Sequence, residues 1–112
     1  MKNIFLILVL IGISLAACSK QNSEETTPAC ITGKIQNFKN STCDKGANVK
    51  EYLFKGKAVY VFDPGTCGAD MTSDVYDSGC KNLGSLGGIA GNTKINGEEF
   101  SNATLVKTIW EE

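Results

Sequence analysis

The chain contains no histidine and no arginine; all eleven of its basic residues are lysine. Without an imidazole the usual base is missing, and with it every Ser-His and Cys-His nucleophile arrangement. Without a guanidinium there is no planar fork, the common clamp for phosphate and carboxylate groups. The longest uncharged apolar run, "IFLILVLIGISLAA", has fourteen residues. A bilayer core needs about 20 helical residues, so this run is too short to span one. No C-x-x-C knuckle occurs, no D-x-D-x-D-G calcium loop, and no lysine follows "GSLGGIAGN" at the offset of a phosphate loop. The G-x-G-x-x-G fingerprint is missing too, so no motif calls for a cofactor.

What is present begins at the N-terminus. Met1-Lys2-Asn3 carries a positive charge, the apolar run follows, and small residues end it. That order describes an export signal, not a membrane span. Leu15-Ala16-Ala17-Cys18 adds a sharper feature, because it resembles the lipobox of bacterial lipoproteins. There a peptidase cuts just before a cysteine that carries a diacylglyceryl thioether. The competing reading is an ordinary cleavage site with an incidental cysteine. The lipobox reading divides the chain into a signal peptide (1–17), a lipidated Cys18 with a flexible tether (18–29) and one small domain (30–112). Each buried methylene contributes about 0.8 kcal/mol, so several acyl chains anchor stably where one would not. The expected partner of Cys18 is therefore a lipid bilayer, and the expected location is the bacterial cell envelope, at the outer membrane, facing the periplasm or the outside.

"SKQNSEETTPA" has no large apolar side chain and reads as the tether; eleven such residues reach about 18 Å on average. From Cys18 onward there are ten lysines against twelve carboxylates, a net charge of −2. That near-balance gives no electrostatic case for nucleic acid.

Four cysteines remain after Cys18, namely Cys30, Cys43, Cys67 and Cys80. An even count in a small exported chain reads as a disulfide framework. Zinc is the weaker alternative, given spacings of 13, 24 and 13 and no histidine.

"CITGKIQNFKN" places Ile31, Ile35 and Phe38 on one helical stripe with lysines opposite. A helix over residues 31–40 holds its ends about 15 Å apart. A disulfide needs Cα atoms within about 7 Å, so Cys30–Cys43 is the least favoured pairing. Both other connectivities tie the helix segment to the Cys67–Cys80 loop. Farther on, Val49–Phe54 and Lys57–Phe62 flank Lys55-Gly56, a two-residue hairpin turn that sets Tyr52 opposite Val59 and Leu53 opposite Ala58. The second strand is apolar on both faces, which predicts a central strand covered above and below. Eight glycines between Gly65 and Gly97 argue against long elements there. "SDVYD" reads as a short strand, Asn96-Gly97 as a hairpin turn, and "ATLVKTIW" as a closing strand with two mixed faces. The expected fold is α+β, one N-terminal helix packed on a small, mostly antiparallel sheet with disulfide-stapled Gly-rich loops.

Four aspartates, Asp63, Asp70, Asp74 and Asp77, are the weak candidates for a calcium site. Asx-turns are the commoner task of aspartate beside glycine and proline. Asp74 and Asp77, three apart in a strand, face opposite ways. Tyr52, Tyr60, Tyr76 and Trp110 suit either sheet packing or an exposed recognition patch. "NST" at Asn40 and "NAT" at Asn102 match glycosylation acceptors, which mean little in a bacterial chain.

The stretches "CITGKI", "VKEYLFKGKAVYVFDPGTCGADMTSDVYD", Cys80, "LGGIAG" and "IW" together resemble small secreted or lipid-anchored bacterial proteins that share one domain of unknown function. The resemblance covers about residues 30–110. Some such relatives carry a further cysteine pair near Leu83-Gly84 and Asn96-Gly97, which this chain lacks, so their connectivity does not transfer. The resemblance implies an exported lone domain and brings no catalytic residue with it. The functional expectation is a non-catalytic binding or interaction module, with Asp63–Gly91 as its contact surface for a protein or small-molecule partner. A calcium-stabilised structural domain and a carboxylate-dependent hydrolase are the alternatives.

Overall fold

The computed structural model describes residues 27–42, 45–66, 68 and 70–112. The signal peptide, Cys18, most of the tether, Cys43 and Cys67 lie outside the described residues.

Helix α1, Ala29–Ser41, is followed by strands β1 (Asn48–Phe54), β2 (Lys57–Asp63), β3 (Thr72–Asp77) and β4 (Asn82–Gly87). A short ribbon of β5 (Lys94–Ile95) and β6 (Glu98–Glu99) leads through a single 3-10 turn, Phe100–Asn102, into β7 (Thr104–Glu111). Five strands form one antiparallel sheet in the order β4-β3-β2-β1-β7. No described helix is long and apolar enough to cross a membrane. The helix takes in Ala29, which the sequence reading had assigned to the tether.

The β1–β2 hairpin has the register its turn dictates, with Tyr52 opposite Val59 and Leu53 opposite Ala58. Lys55 and Gly56 both have positive φ, 53° and 79°, the mirror-image turn whose twist matches the flanking strands. β2 is the central strand, and its alternating side chains feed two separate cores. On one face Tyr60 and Phe62 join Val49, Ile31 and Ile35, with Phe38, Tyr76 and Trp110 at the margin. On the other, Val59 and Val61 join Phe54, Val75 and Ile95, with Tyr52, Leu86 and Phe100 beside them. The β5–β6 ribbon and the 3-10 turn supply this second cover. Ile95 is fully buried, and the Phe100 ring lies 5.0 Å from both Tyr52 and Phe54.

Strand β4 departs from the sequence expectation. "NLGSLG" carries two glycines in six residues, a composition that weakens a strand on its own. It forms because β3 offers it a ladder from Thr72–Gly87 to Tyr76–Asn82. Strand β7 explains its mixed faces through register. The pairing with β1 slips twice, leaving Ile109 and Val106 with no opposite residue. These bulges bring Trp110 and Lys107, three apart in sequence, opposite Val49 and Glu51 on the same face. They also blunt an otherwise open sheet edge.

A disulfide joins Cys30, in the first turn of α1, to Cys80 in the β3–β4 turn, with Cα atoms 6.1 Å apart. This fixes the first turn of a helix that lacks a side-chain cap and an acidic first turn.

Candidate functional site

The four aspartates do not converge. Asp63 closes an Asx-turn, its Oδ1 accepting from Gly65 N at 2.9 Å. Asp77 does the same for the β3–β4 turn, where its Oδ1 accepts from Gly79 N and Lys81 N, each at 2.9 Å. The backbone there is closed again by Cys80 N donating to the Asp77 carbonyl at 3.0 Å. That turn holds Cys80 at φ 67°, in position for the disulfide. Among the described residues no three of the histidine, cysteine, aspartate and glutamate side chains gather as a metal site.

Asp70 and Asp74 have a different setting. Both line an open groove of about 650 Å³ between α1 and the start of β3. Lys34, Asn37, Phe38 and Ser41 form the helix wall, and Met71 and Thr72 form the opposite wall. The strand period sends Asp74 to this helix side, while Asp77 lies on the other face near Phe54 and Val59. The groove rests on edge-to-face rings: Phe62 lies 5.2 Å from Phe38 and 5.3 Å from Tyr76, with Phe38 6.0 Å from Trp110. Such pairs fix ring orientation beyond simple burial.

Polar groups on this floor are tied to each other. Ser85 Oγ donates to Asp74 Oδ1 at 2.7 Å, and Tyr76 OH donates to Asp74 Oδ2 at 3.4 Å. The Lys34 ammonium sits 4.3 Å from the Tyr76 ring centre, a cation–π contact. Burial pushes the Tyr76 phenol above its ordinary 10.0, the Asp74 charge adds to the rise, and a hydrogen bond with Asn82 opposes it. Asp70 is exposed, and its carboxylate makes no hydrogen bond or ion pair among the described residues.

Of the aromatic candidates, Tyr60 is buried at 3 % exposure, whereas Tyr52, Tyr76 and Trp110 are half-buried. They do not make one exposed patch: Tyr52 lies on the far face, against Phe100. The aspartate-rich stretch supplies one wall of the groove. The other wall escapes sequence reasoning, because Lys34 reads as the solvent side of an amphipathic helix and Phe38 as its core stripe. No local signal marks either; their role follows from which strand the helix covers.

A family model described as a domain of unknown function, DUF6970, matches residues 34–112. No curated protein and no solved structure matches the chain. The chain belongs to the DUF6970 family, and the match contains all of the sheet and every groove residue named above.

Proposed function

We propose that this member of a family with no known function is a lipid-anchored binding module of the bacterial envelope. Acylation of Cys18 ties it to the outer membrane, and the domain presents the α1–β3 groove to a protein or small-molecule partner without catalysing a reaction. The observation that carries the reading is the groove itself: an aromatic floor, with a lysine on one wall and an exposed carboxylate on the other. A few polar groups converging over an apolar floor are the usual make-up of a recognition site. The rigid two-core sheet below it is a scaffold of the kind on which small domains place binding loops.

The test uses the full-length chain in bacterial cells, with a photoreactive amino acid placed at Asn37 or Thr72 in the groove and at Lys57 away from it. Groove-specific adducts support the reading; identical adducts from all three positions, or none, overturn it. Cys18→Ser should move the protein from the membrane to the soluble fraction, and unchanged membrane association would remove the anchor.

A carboxylate-dependent hydrolase is favoured by one observation, that Asp70 and Asp74 line a common groove. Asp74 already accepts from Ser85 and Tyr76, an arrangement suited to holding the floor. Turnover of a glycoside or ester that Asp70→Asn and Asp74→Asn each abolish would reverse that preference.

A further inference from the structure

Three tight turns meet at one end of the sheet. Antiparallel pairing sets the β1–β2 turn, Lys55-Gly56, at the same end as the β3–β4 turn, residues 78–81. The β5–β6 turn, Asn96-Gly97, joins them there, so that Lys55, Lys57, Lys81 and Asn96 rim a cup of about 350 Å³ over Val59 and Leu83. All three lysines are exposed, and among the described residues none of them pairs with a carboxylate. Asp77 is the one carboxylate lining the cup, and its Oδ1 already accepts from Gly79 N and Lys81 N. Three lysines less one aspartate leave +2 at the cup, in a chain whose total from Cys18 onward is −2. The fold therefore gathers positive charge that composition does not reveal. Turn geometry holds the rim in place. Lys55, Gly56, Asn96 and Gly97 all have positive φ, and the Cys30–Cys80 bond clamps the third turn. Beside the lysines stands Leu53, 49 % exposed, in the second cross-strand pair from the β1–β2 turn.

We propose that this end is the membrane face of the domain, and that its lysine cup takes the phosphate of an anionic phospholipid in the bilayer that holds Cys18. The proposal rests on the anchor in the functional reading and goes beyond the groove. The disulfide fixes where the chain enters the domain. Cys30 is bonded to Cys80, in the turn that presents Lys81, with Cα atoms 6.1 Å apart, so the chain enters at the lysine end. Cys18 lies twelve positions earlier, a coil reach of about 20 Å. Acyl chains at Cys18 hold a bilayer near this end of the sheet. Charge then selects the headgroup. Lysine ammoniums bind phosphate as point charges, and lysines close to a membrane are drawn to anionic lipid. Leu53 adds an apolar contact at the edge of the headgroup layer. The α1–β3 groove lies at the opposite end, lined by Phe62, Pro64 and residues 70–72, where β2 finishes and β3 begins. Seating the cup on the bilayer therefore turns the groove away from the membrane, toward a partner.

The experiment takes the full chain, extracted from bacterial membranes, into vesicles of phosphatidylcholine alone or with about one third phosphatidylglycerol. A photoreactive amino acid replaces Ser78 in the β3–β4 turn or Thr72 at the groove. Ser78 should crosslink to lipid, and phosphatidylglycerol should raise that yield roughly tenfold or more, while Thr72 gives no lipid adduct in either vesicle. The triple variant Lys55→Asn, Lys57→Gln, Lys81→Gln should abolish the rise. Lys39→Gln, in the last turn of α1, should leave it unchanged. Asparagine suits the positive φ at position 55, and unchanged circular dichroism with an intact Cys30–Cys80 bridge confirms that the triple variant is folded. About 1 M salt, which shortens the Debye length to about 3 Å, should remove the rise in the wild type. Equal lipid yields at Ser78 and Thr72, indifference to phosphatidylglycerol, or a rise that survives the triple variant would each overturn the proposal. So would a rise lost in millimolar inorganic phosphate but not in chloride of equal ionic strength, which would make the cup a site for a free anion. Flotation separates this proposal from the anchor. Protein that floats with neither vesicle defeats both, and protein that floats with both but shows no lysine-dependent rise keeps the anchor and loses the membrane face. Protein that floats only with phosphatidylglycerol loses the anchor and keeps the lysine face.

Discussion

Two aspartates seven residues apart show how one side-chain chemistry serves two purposes. Asp77 accepts two backbone amides with one oxygen and shapes the turn that carries Cys80. Asp77→Ala strips both donors of their partner and should cost about 1–3 kcal/mol in urea denaturation. Asp70 has left-handed backbone at φ 62°, which asparagine also tolerates. Asp70→Asn should therefore stay within about 0.5 kcal/mol of wild type. The same assignment bears on calcium. Asp63 and Asp77 face backbone amides, so millimolar calcium should leave the melting temperature where it is; a rise would mean that an ion binds the native state. Tyr76 supplies the pH dependence. Burial first, then the Asp74 charge, raise its pKa above the ordinary 10.0, so the folded state holds the phenol proton more tightly than the unfolded chain. The stabilisation is fully present below pH 10 and is lost as pH climbs from there through the raised folded value. Tyr76→Phe should flatten that alkaline decline, which urea midpoints between pH 8 and 11 would record; an unchanged slope would place its origin elsewhere.

Among the elements, what sequence alone reveals tracks how local each cause is. The β1–β2 register is readable because a two-residue turn admits one pairing, and the central place of β2 because both of its faces are apolar. Asn96-Gly97 marks the β5–β6 ribbon for the same local reason. Strand β4 is not readable, since its glycines become extended only against β3. Nor is the groove, whose walls are some thirty residues apart in the chain and meet only once α1 lies over β2 and β3. Even Ile95, fully buried, sits in a ribbon of two-residue strands whose packing no periodicity announces. Two glycines separate local from tertiary causes in a measurable way. Gly33 lies inside α1, and a Cβ there would meet nothing within 4 Å, so Gly33→Ala should stabilise by about 0.5–1 kcal/mol through helix propensity. Gly65 has φ +86°, and a Cβ there would strike the Lys45 carbonyl oxygen and lie 2.9 Å from Ala47 N. Gly65→Ala should destabilise by more than about 1 kcal/mol. Equal midpoints for the two variants would refute this division.

At the scale of the whole molecule, two thin cores share one central sheet, and a small domain of this kind gains much from covalent bonds. The Cys30–Cys80 bond spans 50 positions; in the chain-entropy account, closing such a loop disfavours the unfolded state by about 4 kcal/mol. It also limits the pairing to be expected of the other two cysteines. Of the two connectivities compatible with a helix after Cys30, only the one joining Cys43 to Cys67 leaves Cys80 for Cys30. The described residues beside those two cysteines are already held together. Thr66 N donates to the Lys45 carbonyl at 2.9 Å, and Thr66 Oγ1 donates to the same oxygen at 3.2 Å. We therefore expect peptide mapping without reductant, on protein taken from membranes, to yield Cys30 linked to Cys80, Cys43 linked to Cys67, and an acylated Cys18. Reduction should then lower the melting temperature by more than loss of either bond alone, because the two bonds close overlapping loops through different ends of the helix. A Cys30–Cys67 peptide would contradict the fold around the β3–β4 turn. Free thiols at 43 and 67 beside an intact first bridge would confine the staple to the helix start, and the hydrogen bonds of Thr66 would then hold the second junction by themselves.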